Sequence, residues 1–102
     1  MAWADNFVEN RQLDFDGFDV PEHTKGALTR YLLFGLMPGG FLTAMLEGDG
    51  SGAHLSYCLG LADEQNQLAI TEIRKWIESY MPDHTYGSRG KVEEYIRSFY
   101  TP

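Results

Sequence analysis

His54 and Cys58 stand four residues apart, which would put an imidazole beside a thiol on one face of a helix. A tetrahedral zinc site needs two further ligands, and His23 and His84 would have to be brought in from distant parts of the chain. A lone cysteine in an apolar segment is more simply a small core residue. Asp83-His84 and Ser88 supply the residue types of a hydrolytic triad. Neighbours in sequence rarely reach triad geometry, however, and Ser88 sits where a helix N-cap would. Glu47, Asp49, Ser51 and Gly52 match positions one, three, five and six of an EF-hand loop, but position twelve, which must be a bidentate carboxylate, is Cys58. Aligning Gly17 as the loop glycine puts Gln12 first and His23 twelfth, which fails at both ends. The expectation is therefore a protein that is not an enzyme and carries no metal and no cofactor.

Two other groups of residues are equipped to bind rather than to react. Asp14, Phe15, Asp16, Phe18, Asp19 and Glu22 interleave carboxylates with aromatic rings. Charge of this kind steers an encounter with a basic groove, and buried aromatics supply most of the affinity of a contact. The bland alternative is an arm folded back on its own domain. Gly39-Gly40, opening a helix, could present free backbone N–H groups to an anion such as a nucleotide phosphate. That site would want a cation, and Arg30 and Lys25 lie a turn or two back on the preceding helix. The alternative there is a tight packing corner.

These residues must be positioned by helices. Pro21 to Gly35 reads as one helix with Ala27, Leu28, Tyr31 and Leu32 buried and Gly35 as its stop. Asp19 is the expected N-cap, with Glu22 three residues on completing a weak capping box. Pro38 forbids continuation, and Phe41, Leu42, Met45 and Leu46 mark one face of a short second helix that closes at Gly48. Residues 53–61 fit two patterns. Ala53, Leu55, Tyr57, Leu59 and Leu61 alternate like a strand, while His54, Tyr57, Cys58 and Leu61 form a helical face. A strand would need a partner, for which only the Leu13 to Phe15 region is on offer, so a short helix is the preferred reading. A long helix follows, capped by Asp63, stopped by Pro82, and striped by Ala69, Ile70, Ile73, Trp76, Ile77 and Tyr80. Arg74 and Glu78 are expected to form a surface pair on it. Ser88 caps a last helix with Val92, Tyr95, Ile96 and Phe99 on its inner face.

The expected fold is an all-α, compact single domain of four to five helices over residues 20–102, preceded by an acidic, aromatic N-terminal arm at 1–19. A minor β element in the arm stays open. A domain of 102 residues buries roughly 65% of its unfolded-chain surface, enough for a core without disulfides. One cysteine excludes an intramolecular disulfide and gives no sign of an oxidising compartment. No apolar run is long enough to span a membrane, and the first residues lack a signal-peptide pattern. The expectation is a soluble, cytoplasmic protein with no membrane partner. Eight basic against fifteen acidic residues, a net charge of −7, argue against direct nucleic-acid binding. That balance suits solubility, or docking on a basic surface built for nucleic acid.

Pro21-Glu22-His23-Thr24, Pro38-Gly39-Gly40-Phe41-Leu42-Thr43-Ala44, Ala62-Asp63 and Gly87-Ser88, each at a helix start, resemble a group of small, largely uncharacterised tailed-bacteriophage proteins. The resemblance covers about residues 20–98 and names no chemistry. It implies a protein made inside an infected bacterium that binds and disables a host complex. Combined with the acidic balance, it leads to the expectation of a non-catalytic inhibitor of an antiviral defence complex such as a CRISPR effector, acting through an acidic nucleic-acid-mimicking surface. The alternative is a homo-oligomeric sponge that sequesters a nucleotide signal at Gly39-Gly40.

Overall fold

The computed structural model describes residues 8–9, 12–48 and 50–100. Trp3 and Phe7 of the arm and Asp49 of the EF-hand comparison lie outside the described residues. Five helices carry the fold: α1 (Glu22–Phe34), α2 (Gly40–Glu47), α3 (Gly52–Leu61), α4 (Glu64–Tyr80) and α5 (Arg89–Arg97). A 3-10 turn at Asp83–Thr85 links the last two. The β element is a two-residue antiparallel pairing of β1 (Val8–Glu9) with β2 (Gln12–Leu13), in which Val8 faces Leu13.

Local chemistry explains most of the helix ends. Ser51, Asp63 and Ser88 each accept a backbone N–H from the residue three positions on. Gly35 closes α1 at φ 67°, a left-handed conformation that most side chains resist. Its N–H bonds to Tyr31 and that of Leu36 to Arg30, satisfying the last carbonyls of the helix. The expected Asp19 cap is not formed. Val20 is buried at 5% exposure and pins the chain, so Pro21 becomes the capping position and Asp19 lies too far upstream. No side chain caps the helix, and its first turn closes through the Thr24 and Lys25 N–H groups, both donating to the Pro21 carbonyl.

Helix α2 is short, and C-terminal carbonyls that its own backbone leaves free are satisfied from three directions. His54 Nε2 donates to Ala44 at 2.6 Å, Arg74 Nη1 to Met45 at 3.4 Å, and the Gly87 N–H to Leu46 at 2.8 Å. A cation at a helix C-terminus also opposes the helix dipole, and no basic residue of α2 itself does so. This helix therefore sits at the hub of α3, α4 and the turn before α5. The largest fully buried side chains of the core are Trp76, Tyr31, Leu28, Leu32, Met45 and Leu46, the last two from α2 itself. A radius of gyration of 12.9 Å matches the ~13 Å of a compact 100-residue domain.

Residues 53–61 are helical, as preferred, but only Cys58 of that helix is buried. The apolar alternation there is real and does not correspond to a buried sheet face. Among the described residues no helix is long and apolar enough to cross a membrane.

Candidate functional site

The acidic segment before α1 is a strap fastened to the core. Phe15 is buried at 8% exposure and stacks on Trp76 with ring centroids 4.4 Å apart. Phe18 meets Tyr80 edge-on at 5.5 Å, and the Trp76 indole N–H donates to the Asp14 carbonyl at 2.8 Å. Leu13 and Val20 join the same core. The aromatic rings expected to engage a partner therefore face inward, because Trp76 offers both a stacking surface and an N–H donor to the strap. The carboxylates of Asp14, Asp16, Asp19 and Glu22 are exposed beside one another along the chain. Lys25 offsets one of them, 3.1 Å from Glu22.

At the Gly39-Gly40 corner both glycines are exposed, and neither would bring a Cβ within 4 Å of another atom. The structure does not bring Arg30 to it. The Arg30 guanidinium folds back over Gly26, with Nη1 3.2 Å from where a Cβ there would lie, towards the start of α1 and away from the corner. Thr43 Oγ1 donates to the Pro38 carbonyl at 3.0 Å, which stiffens the turn from within.

The histidines are held by other tasks. His23 Nε2 lies 2.9 Å from Asp63 Oδ2, while Asp63 Oδ1 accepts the Asn66 N–H and the Thr24 hydroxyl donates to Asn66 Oδ1. This cluster joins the starts of α1 and α4. His84 packs against the Tyr95 ring, so the two histidines do not converge. Ser88 Oγ is engaged by the Lys91 N–H. Cys58 Sγ lies 3.3 Å from His54 Nε2, so the expected shared face exists. That nitrogen already donates to Ala44, however, and burial pushes the Cys58 thiol up, with only a smaller lowering from the Arg74 charge. A thiol so placed is not an activated nucleophile. Among the described residues no three His, Cys, Asp or Glu side chains converge as a metal site would require.

Arg74 forms the expected ion pair with Glu78, but not at the surface: the Arg74 side chain is 9% exposed. The Tyr86 ring lies on its guanidinium at 5.7 Å, and a Cβ on Gly50 would fall 2.5 Å from Nη2. Glu78 Oε1 lies 3.1 Å from Nε but out of line with its N–H, which makes no hydrogen bond. Arg74 lines an open cleft of about 330 Å³ together with Glu78, Asp83, Tyr86, Gly87 and Lys91. A signal was present in the sequence: position 74 falls four after Ile70 and three before Ile77, on the flank of the buried stripe.

Comparison with family models, with curated proteins and with solved structures finds no match to this chain.

Proposed function

We propose that this chain is a non-catalytic binding protein whose strap carboxylates, Asp14, Asp16, Asp19 and Glu22, dock on a basic surface of a larger protein. The observation that carries the reading is the inward anchoring of Phe15 and Phe18, which holds the carboxylates outward on an ordered backbone. A preorganised charged row loses less entropy on binding than a free arm. The resemblance to bacteriophage proteins supports a bacterial host complex as the partner, and an antiviral effector such as a CRISPR complex offers the basic nucleic-acid channel that such a row would mimic.

Apolar contact must come from elsewhere, since the strap rings are occupied. Phe34, Leu36, Met37 and Tyr100 stand exposed around the far end of α1. A helix of 13 residues spans roughly 20 Å, and an interface of about 800 Å² per partner is about 30 Å across, wide enough to reach both. The test is binding to the captured partner across a salt series. Replacing Asp14, Asp16 and Asp19 together by asparagine should weaken binding and flatten its salt dependence. Unchanged binding would refute the reading.

A further inference from the structure

We infer that the cleft at Arg74 binds a small oxyanion, a carboxylate or a phosphate monoester. This goes beyond the docking reading and does not depend on it, since the cleft shares no residue with the strap.

Arg74 is a buried cation with an incomplete set of hydrogen-bond acceptors. A guanidinium carries five N–H donors, and buried donors are normally bonded. Arg74 gives one long bond to Met45, and its Nε, fully enclosed, makes no hydrogen bond although Glu78 Oε1 lies 3.1 Å away in an ion pair. The guanidinium carbon lies 5.7 Å from the Tyr86 ring centroid, and a Cβ on Gly50 would fall within 3 Å of the group. Arg74 also lines the cleft, and a two-oxygen acceptor fits a guanidinium fork. Lys91, on the first turn of α5, brings a second cation to the same cleft and forms no ion pair among the described residues. Its exposed ammonium can follow an incoming ligand, whereas Arg74 is fixed.

The opposing charges set the class of ligand. Glu78 and Asp83 also line the cleft, so the two cations face two carboxylates. A ligand bearing one or two charges on a single head group is tolerated there, while a polyphosphate would be repelled. A volume of about 330 Å³ lies at the small end of ligand sites, roughly 300–1,000 Å³.

The experiment is nuclear magnetic resonance on the full chain, following the Arg74 Nε–Hε signal and the Gly87 amide. Inorganic phosphate and acetate are titrated separately against chloride at constant ionic strength. A saturable shift with one or both anions is expected, and which of them saturates assigns the head group. Lys91→Ala should weaken that binding about tenfold, the loss of one charge-assisted hydrogen bond. Arg89→Ala removes the same charge from the same helix but from an ion pair with Glu93, and should leave the affinity unchanged. No saturable shift with either anion would overturn the inference. So would equal weakening by the Lys91 and Arg89 variants, which would reduce the effect to net charge.

Discussion

Phe15→Ala tests whether the strap belongs to the fold. An aromatic side chain buries roughly 150–250 Å², which at about 25 cal/mol per Å² gives ~4–6 kcal/mol as an upper bound. Removing a phenylalanine from a core costs about 3–5 kcal/mol in practice. Phe15 lies at the edge of the core on a short strap, so neighbours can close part of the gap, and a loss of about 3 kcal/mol is expected. With a urea dependence near 1–1.5 kcal/mol per molar, that moves the unfolding midpoint down by roughly 2–3 M, read by far-ultraviolet circular dichroism. Crossing Phe15→Ala with Trp76→Leu should show a coupling of about 1 kcal/mol from the stacked pair. Asp16→Asn, exposed, should stay within about 0.5 kcal/mol. A loss below about 1 kcal/mol for Phe15→Ala would mean the strap does not dock, and the ordered carboxylate row would go with it.

Alkaline pH should unfold the protein through two phenols. Burial first, then the nearby Tyr95 and Glu47, raise the Tyr31 hydroxyl, and burial raises that of Tyr95. Both donate to carbonyls, of Thr85 and Leu32, which an ionised phenol cannot do. Their contribution is complete below the unfolded value of about 10 and falls above it by about 1.4 kcal/mol per pH unit for each ring. Tyr31→Phe should lessen that fall in urea titrations, and an equally steep one would contradict the assignment. Gly35→Ala meets a φ of 67° and the Phe99 ring 2.5 Å from the new carbon, and should lose at least about 2 kcal/mol in thermal unfolding. Gly40→Ala, in open space inside a helix start, should be neutral or gain up to about 0.5 kcal/mol. Cys58 should react with a thiol reagent near pH 8 only as fast as the protein opens, and prompt stoichiometric labelling would show the site to be accessible.

How much of this was legible beforehand follows from where the determinants lie. Ser88, Asp63 and Gly35 mark helix ends because caps are local: the chemistry is complete within four residues. Asp19 carries the same signal and fails, because Val20 is drawn into a core that no local window reveals. The α3 segment was ambiguous for a physical reason. Its apolar residues are mostly exposed, so neither periodicity reports burial, and the helix is secured by the Ser51 cap and by His54 bonding to Ala44. The Gly39-Gly40 corner was correctly placed between two helices, but the rotamer that sends Arg30 back over Gly26 was beyond reach. Glu78, four residues on, is legible as the partner of Arg74 and does pair with it, but nothing local reveals that Arg74 is buried. Its bond to Met45 and its contact with Tyr86 depend on how α2 and the turn before α5 pack.

The most direct test of the docking reading is a paired capture from a lysate of a bacterium with active defence complexes. The wild-type chain is compared with the Asp14→Asn, Asp16→Asn, Asp19→Asn triple variant at about 0.05 M and 0.5 M salt, where screening lengths differ about threefold. The account predicts a stoichiometric basic protein retained by the wild type at low salt, and lost with the variant or at high salt. Equal retention by both chains at both salt concentrations, or no retained protein on the wild type, would contradict it.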